Sequence, residues 1–145
     1  MGTNKILLKT GSVVLIQIFL CINASAQQGT AARYFVESEK SIEKKETGPH
    51  NGGGNTIAYR FFKDTPGSTL QLTRRILEPG AAIGYHLQKE EEIYYILSGT
   101  GEMNMNGKLF LVKEGDAILT MPGNYHALRQ TGTTPLVVII NYLKK

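Results

Sequence analysis

The stretch Gly80-Ala-Ala-Ile-Gly-Tyr-His-Leu-Gln-Lys-Glu-Glu-Glu-Ile-Tyr-Tyr-Ile-Leu-Ser-Gly99 carries most of the information about this fold. His86 and Gln88 are two positions apart, so their side chains point to the same face of a β-strand. Glu92 opens the next apolar run, whereas residues 89–91 form a tight turn suited to solvent. An antiparallel partner strand would bring the Glu92 carboxylate beside His86 and Gln88. Of the three glutamates, Glu92 is therefore the one expected inside.

A third candidate ligand, His126, follows another turn into a strand and would approach the same place from a different direction. Two imidazoles, one carboxylate and one amide oxygen would then converge. Two histidines with a carboxylate and open coordination positions suit non-haem Fe²⁺ or a similar divalent metal, and the open positions leave room for water or substrate. On the residues alone, one alternative stays open: hydrogen-bonded structural histidines beside a charged turn.

From residue 56 onward the chain is predicted to consist of short strands separated by turns, with no sustained helical period. The clearest strands cover residues 56–62, 70–77, 93–97, 109–112, 117–120 and 136–143. Further strands are expected around His86, Met103 and His126. Asn106-Gly107 is a strong signal for a two-residue hairpin. Seven or more short strands at this spacing indicate an all-β sandwich or barrel.

Residues 27–55 are predicted to form an N-terminal arm and a glycine-rich loop ahead of the β-domain, residues 56–145. Within the arm, residues 34–36 could add a short strand to a sheet edge. The charged run at residues 37–46 is expected to be a solvated helix turn or loop. Residues 49–54 (Pro-His-Asn-Gly-Gly-Gly) are expected to form a loop that permits close backbone approach or unusual φ values.

Residues 1–26 have the layout of a secretory signal peptide. Two lysines precede the apolar segment 13–22, and small residues end at Ala26, where cleavage is expected. The apolar segment is shorter than the ~20 residues of a comfortable transmembrane helix. We therefore expect a secreted or periplasmic protein with no stable membrane association after cleavage. The rival interpretation, a lipoprotein anchor at Cys21, is disfavoured by the bulky Leu20.

The charge and cysteine content change when the predicted signal peptide is removed. Lys5 and Lys9 leave with it, so the formal net charge falls from +4 to +2. No basic stripe interleaved with aromatic residues remains, which argues against nucleic acid as a partner. The single cysteine leaves as well, so the mature chain would have neither a disulfide nor thiol chemistry. Residues 27–145 are numerous enough to bury a stable core without one.

The spacing of the opening stretch resembles the first motif of the cupin superfamily. That motif has a glycine, five residues, His-X-His, three or four residues, a glutamate, six residues and a glycine. In this chain Gly80, His86, Glu92 and Gly99 stand at those positions, and Gln88 replaces the second histidine. The substitution of Gln88 is the only departure in this motif.

The second cupin motif also has a counterpart, and the two together span roughly residues 56–143. Gly115, Gly123 and His126 match it in position, whereas Met121 stands at the proline position and Gln130 replaces the asparagine. The resemblance implies a single jelly-roll β-barrel of six or eight strands, often dimeric. It does not choose among functions, because one fold hosts many chemistries.

Carried over by position, the resemblance implies that His86, Glu92 and His126 are metal ligands and that Gln88 takes the fourth ligand position. An amide oxygen is a neutral, hard donor and weaker than imidazole for Zn²⁺ or Ni²⁺. Fe²⁺ or Mn²⁺ is therefore favoured, with Zn²⁺ or Ni²⁺ as alternatives. Two further alternatives stay open. Either Gln88 points its amide at a substrate and leaves three ligands, or the pocket binds an organic ligand without metal.

Three residues are expected to contact a substrate, namely Tyr94, Arg74 and His50. Tyr94 shares a strand face with Glu92, although a core role with a satisfied hydroxyl is the ordinary one. An inward guanidinium would hold an anionic substrate, and the candidates are Arg60, Arg74 and Arg75. An exposed edge charge is their ordinary role. His50 lies in the glycine-rich loop and could close over the barrel mouth.

Two functional hypotheses follow. The first is an exported small metalloenzyme of oxygenase, isomerase or lyase type that acts on a small polar molecule, with the metal as Lewis acid or O₂-binding centre. The second is a non-catalytic binding module that holds a sugar or other small ligand without metal. A homodimer is expected in both cases.

Overall fold

Ten β-strands and one helical turn make up residues 34–144, the part of the chain that the computed structural model describes. In chain order they are α1 Glu39–Ile42, β1 Glu43–Thr47, β2 Asn55–Phe61, β3 Leu70–Leu77, β4 Ala82–Leu87, β5 Glu92–Ser98, β6 Thr100–Met105, β7 Lys108–Lys113, β8 Ala117–Thr120, β9 Tyr125–Thr131 and β10 Leu136–Leu143. The predicted signal peptide, residues 1–26, lies outside the described residues. No helix between residues 34 and 144 has the length and apolar character that a membrane crossing requires.

The strands form two antiparallel sheets. The larger sheet has the order β1-β2-β3-β10-β5-β8, and the smaller one has the order β4-β9-β6-β7. The last strand, β10, pairs with β3 on one side and with β5 on the other, so distant parts of the chain interleave. This arrangement confirms the prediction of an all-β jelly roll, because each strand predicted from residue 56 onward is recovered within a two-sheet, Greek-key-like order.

The predicted hairpin at Asn106-Gly107 is confirmed in detail. Met105 pairs with Lys108, which leaves two residues in the loop between β6 and β7. Asn106 has a φ of 52° and Gly107 a φ of 86°. Positive φ at both central residues defines a type I′ turn, the turn whose twist matches that of the flanking strands.

Strand alternation separates an inner face from an outer face along the larger sheet. On β5, Glu92, Tyr94 and Ile96 are buried and the residues between them are exposed. The apolar inner residues collect into one core cluster, which consists of Leu77, Ala81, Ile83, Tyr94, Ile96, Met103, Val112, Leu128, Leu136, Val138 and Ile140. Burial of this cluster is the main source of stability, because the hydrophobic effect scales with the apolar area removed from water.

The arm differs from the expectation in two places. Residues 34–36 form no strand, whereas part of the charged run forms the edge strand β1 after a single helical turn. β1 pairs with β2, and its inward residue Glu46 stands opposite Thr56. The sequence did not predict β1 as a strand, because its charged residues show no apolar alternation. Charge is nevertheless common on edge strands, where it discourages pairing with other chains.

The glycine-rich loop, residues 49–54, packs its backbone directly against β4. The Gly84 N–H donates to the Pro49 carbonyl over 2.9 Å. A Cβ on Gly84 would lie 1.9 Å from the His50 carbonyl oxygen, and one on Gly52 would lie 2.1 Å from the Ala82 carbonyl oxygen. Since real Cβ atoms do not approach so closely, glycine at both positions is what fixes the loop on β4, as the expected close backbone approach requires.

Candidate metal centre

Three strands from two sheets bring the predicted ligands together. His86 lies on β4 and His126 on β9, and the two residues are direct partners across these antiparallel strands. Glu92, the first residue of β5, faces inward from the larger sheet. The site therefore lies between the sheets, at the end of the barrel where β5 begins.

The donor atoms of the three residues converge on one point. His86 Nε2 lies 3.1 Å from His126 Nε2, and Glu92 Oε2 lies 3.2 Å from the same His126 nitrogen. One ligand atom of each residue lies within 4.8 Å of the others. Two ligands bound ~2.1 Å from one ion at angles of 90–110° are ~3.0–3.4 Å apart. The observed spacing therefore suits a shared metal ion.

Hydrogen bonds on the far side of each imidazole fix which nitrogen points into the site. His86 Nδ1 lies 2.8 Å from the Gly84 carbonyl, which can only accept, so Nδ1 carries the proton and Nε2 a lone pair. His126 Nδ1 lies 3.0 Å from the Thr120 hydroxyl, which can accept a hydrogen bond from an Nδ1–H and thereby leave Nε2 with a lone pair for a metal. Such outer contacts orient imidazole ligands in metal sites.

Burial favours the neutral, metal-binding form of His86. Desolvation lowers the pKa of its imidazole, the Gly84 carbonyl partly opposes this effect, and the neighbouring His126 adds to it. A metal must displace any proton from its ligand, so a lowered pKa keeps the nitrogen available at neutral pH.

The Glu92 carboxylate gives the clearest indication that this donor set fits a cation. Its Oε2 is buried and accepts no hydrogen bond from residues 34–144, although His126 Nε2 lies nearby. A buried, unpaired carboxylate oxygen is costly, and a cation is the partner that removes the cost. Two neutral imidazoles with one carboxylate form a donor set that suits divalent first-row metals. The residues present therefore fit a divalent metal.

Gln88 lies just beyond the end of β4 and is 8 % exposed. Its backbone is anchored on the turn before β9, since its N–H donates to the Asn124 carbonyl and its carbonyl accepts from the Gly123 N–H. Its side chain lines the cavity beside the three ligands and makes no hydrogen bond to the described part of the chain. The amide is thus free to meet a metal or a ligand.

A cavity of about 370 Å³ opens from the candidate metal centre. Its walls combine polar and apolar side chains from both sheets, namely Pro49, His50, Arg60, Thr73, Arg75, Ile83, His86, Leu87, Gln88, Lys89, Glu90, Glu92, Tyr94, Ile140 and Tyr142. Apolar walls with a few convergent polar groups are typical of small-molecule sites.

Tyr94 stands where the alternation of β5 predicts, next to Glu92 on the inner face. Its ring centroid lies 5.3 Å from that of His126. Burial raises the pKa of the Tyr94 hydroxyl well above its usual value, and the neighbouring Glu92 carboxylate adds to the rise. Tyr94 is therefore a neutral hydrogen-bond donor at the wall of the cavity.

The expectation that Arg74 faces a substrate is corrected by the structure. Arg74 points to the outer face of β3, where it pairs with Glu39 over 3.2 Å and lies 5.1 Å from the centre of the Tyr59 ring. The neighbouring Arg75 takes the inward place, is 4 % exposed and lines the cavity together with Arg60. The prediction chose the wrong one of two adjacent residues, and adjacent side chains of a strand point to opposite faces of the sheet.

His50 lies at the rim of the cavity. Its ring stacks on that of His86, with centroids 3.5 Å apart and planes within 4°. Its positive φ of 53° belongs to the tight loop that packs on Gly84. His50 is thus placed to hold the His86 ring in position.

Sequence reasoning missed several residues that support the site. Thr120 contacts His126, and Glu46 binds both inward arginines, with the Arg60 pair especially short and the Arg75 pair at 2.9 Å. Gln130, at the asparagine position of the second motif, accepts a hydrogen bond from the Gly80 N–H over 2.9 Å. That contact ties the two motifs together. Only the motif position of Gln130 offered a signal for it.

Comparison with known proteins agrees with this geometry. The profile of the Cupin domain family matches residues 73–142. The oxalate-binding protein of Thermotoga maritima is 34% identical over 104 residues, which cover 70% of this chain and 86% of that protein. The chain belongs to the cupin family.

Solved structures show the same fold. The crystal structure of a predicted oxalate decarboxylase from Thermotoga maritima has a TM-score of 0.68 and 28% sequence identity, over 77% of this chain and all of that one. A polyketide cyclase from Streptomyces resistomycificus has a TM-score of 0.65 over 77% of this chain and 81% of its own. At 18% identity, this second likeness concerns the fold alone.

Proposed function

We propose that this protein binds a divalent metal ion through His86, Glu92 and His126 and uses it to hold a small, oxygen-rich molecule in the cavity. The observation that carries the proposal is the buried Glu92 oxygen, which has no hydrogen-bond partner among residues 34–144 and faces two imidazole nitrogens. A metal ion satisfies all three donors at once.

The donor set favours Fe²⁺ or Mn²⁺, with Zn²⁺ or Ni²⁺ as alternatives. A bound metal would supply Lewis-acid or redox chemistry. The protein's own residues exclude water and orient the ligand. Tyr94 offers a hydroxyl, Gln88 offers an unengaged amide, and Ile83 and Ile140 form apolar walls.

The relative's name supports oxalate as the first ligand to test, since that Thermotoga maritima protein is an oxalate-binding protein. The leading candidate function is a metalloenzyme of oxygenase, isomerase or lyase type. The same name favours a second candidate, a binding module that holds its ligand unchanged. Incubation of Mn²⁺-loaded protein with ¹³C-labelled oxalate, followed by NMR, separates them, because only an enzyme produces a new carbon signal.

Metal content is the test of the metal site. Wild-type protein incubated with Mn²⁺ or Fe²⁺ and dialysed is expected to retain close to one ion per chain, measured by inductively coupled plasma mass spectrometry. His86→Ala and His126→Ala are expected to lose it. His50→Ala is the matched control, because this histidine stacks on His86 without belonging to the ligand group. Retention of the ion in both ligand variants would overturn the proposal.

Gln88→His tests the fourth position. If the Gln88 amide oxygen is a ligand, replacing it by imidazole raises the affinity for Zn²⁺ or Ni²⁺, since these ions prefer nitrogen donors. An unchanged affinity in a competition titration would place Gln88 outside the ligand set and leave a three-ligand site.

We also propose that the protein forms a homodimer through the outer face of the larger sheet. Support comes from a group of exposed apolar side chains on β5 and β8, namely Ile93, Tyr95, Leu97 and Leu119. Exposed apolar patches commonly mark association sites. Light scattering is expected to give a dimer for wild type and a monomer for Tyr95→Glu. A monomeric wild type would contradict this.

Export remains a proposal that rests on the pattern of residues 1–26. The mature protein is expected to begin at Gln27, which the intact mass of the protein recovered from a secreting host measures. A mass that corresponds to the full 145 residues would contradict cleavage.

A further inference from the structure

A second polar group lies in the same cavity, on strands that contribute nothing to the candidate metal centre. Arg75 of β3 is buried, and its guanidinium donates to the Thr56 hydroxyl over 2.9 Å and pairs with Glu46 over 2.9 Å. Its Nε is buried and has no hydrogen-bond partner among residues 34–144. A buried guanidinium with an unused donor is uncommon, because buried polar groups are nearly always satisfied.

Positive charge exceeds negative charge around Arg75. Arg60 and Arg75 both line the cavity, and both bind the single carboxylate of Glu46. One carboxylate neutralises only one guanidinium, so this group keeps one net positive charge. A second carboxylate is the ligand that a guanidinium recognises best, through two parallel hydrogen bonds.

The charges around the whole cavity also favour an anionic ligand. Three cations and three carboxylates stand in or directly behind its walls, namely Arg60, Arg75, Lys89, Glu46, Glu90 and Glu92. A divalent metal at the candidate centre would add two positive charges to this set. A ligand that carries two negative charges would neutralise them.

The arginine group and the metal centre are separated by a strand. Glu92 stands on β5 and Arg75 on β3, with β10 between them. The two strand axes are roughly 10 Å apart, and Glu92 is level with Tyr142 of β10 whereas Arg75 is level with Val138, about 13 Å away along that strand. Tyr142 of β10 stands opposite Glu92 and lines the same cavity. Burial raises the pKa of its hydroxyl, the Glu92 carboxylate adds to the rise, and Arg60 and Arg75 oppose it. A ligand with one anionic group cannot engage both ends.

We propose that Arg75, assisted by Arg60, binds the second carboxylate of a small dicarboxylate whose first carboxylate is held at the metal centre. The proposal rests on the proposed function, because the first carboxylate needs the metal. It adds a specificity-determining residue and a substrate class: dicarboxylates with a spacer between the two groups. Oxalate has no spacer, and both of its carboxylates chelate one ion, so it gains little from Arg75.

The competing interpretation is that Arg75 only fastens β1 to the barrel through Glu46. The two interpretations predict opposite results for Glu46→Gln. If Arg75 is the anion receptor, removing the competing Glu46 carboxylate frees the guanidinium and tightens succinate binding several-fold. If Arg75 only fastens β1 to the barrel, Glu46→Gln leaves succinate affinity unchanged, and the unfolding temperature falls under both interpretations.

The experiment is calorimetric titration of Mn²⁺-loaded, full-length protein with succinate, oxalate and acetate. Arg75→Gln is expected to weaken succinate binding by about ten-fold or more and to leave acetate affinity unchanged. Arg74→Gln is the matched control, since it removes the same group from the outer face of the same strand. Arg75→Lys keeps the buried charge and is the variant to use if Arg75→Gln does not fold. It is expected to bind succinate more weakly than wild type, because an ammonium cannot bind in bidentate fashion.

The outcomes separate the two proposals. If the Arg75 variants lose affinity for succinate and acetate equally, or lose affinity for neither, the proposed role of Arg75 is wrong. The metal content of the same samples tests the metal site independently. If wild-type protein holds no metal, the proposed function fails. The succinate-to-acetate affinity ratio of the metal-free protein then still decides whether Arg75 recognises the second carboxylate.

Discussion

The two ends of this barrel are built from the same strands and have opposite chemistry. On β5 the inner face runs from Glu92 through Tyr94 to Ile96, and on β9 it runs from His126 to Leu128. One end is therefore filled by apolar side chains, and the other is lined by ionisable ones. The comparison teaches that strand alternation sets which residues face inward, whereas position along the strand decides whether they serve the core or the site.

The largest expected effect comes from the apolar end. Leu128→Ala removes a side chain that is 0 % exposed in the core cluster. It is expected to lower the free energy of unfolding by about 2–5 kcal/mol, measured by urea denaturation. Metal stoichiometry of the folded variant should stay at the wild-type value. Loss of the metal with unchanged stability would show that the two ends are not separable.

The next effect comes from the polar end. Thr120→Val removes the hydroxyl that contacts His126 Nδ1 and keeps the volume of the side chain. Loss of such an outer contact is expected to weaken metal affinity by about 10–100-fold, measured by competition with a chelating dye. Thr133→Val, at an exposed turn, serves as the control. Equal affinities in both variants would mean that Thr120 does not orient His126.

A smaller effect concerns pH. Burial alone would raise the pKa of the Glu46 carboxyl, but hydrogen bonds from Arg60 and Arg75, and their charges, lower it below its ordinary value of 4.5. The folded state therefore gives up this proton more readily than the unfolded chain. Its stabilising contribution is complete above pH 4.5 and disappears as the pH falls through the folded-state pKa.

Comparison of wild type with Glu46→Gln measures this contribution. The difference in the free energy of unfolding between the two proteins should be constant from pH 7 to about 5 and shrink below pH 4.5. A difference that stays constant down to pH 3 would contradict the ion-pair assignment of Glu46.

The smallest expected effect is at the rim. His50→Ala removes the ring that stacks on His86 and is expected to weaken metal affinity by about 2–10-fold, with stoichiometry unchanged. His50→Phe restores a stacking ring without a ligand nitrogen, so it should recover most of the affinity. If only the histidine supports tight binding, His50 is itself a ligand and the three-residue group is incomplete.

Much of the fold and part of the site could be predicted, because period-two alternation and turn chemistry are local signals. Glu92 was separated from Glu90 and Glu91 in this way, and the structure buries Glu92 and exposes Glu91. The choice between Arg74 and Arg75 failed, because Leu72 and Ile76 give the outer face of β3 an apolar character of its own. With apolar residues on both faces of β3, alternation does not decide which of the two arginines faces inward.

The strand β1 could not be predicted, because its stability is not local. Its residues Glu43 to Thr47 contain almost no apolar side chain. What holds them is pairing with β2 and the contacts of Glu46 with two arginines distant in sequence. The same long-range contacts select Arg60 and Arg75 from the three candidate arginines, a choice that the sequence alone did not make.

The most direct test of the metal centre is anomalous diffraction from a crystal of the Mn²⁺-loaded protein. A single peak is expected between the two sheets, about 2 Å from His86 Nε2, His126 Nε2 and a Glu92 carboxylate oxygen. A crystal that shows no peak among these three residues after loading would contradict the account and leave a metal-free binding cavity in its place.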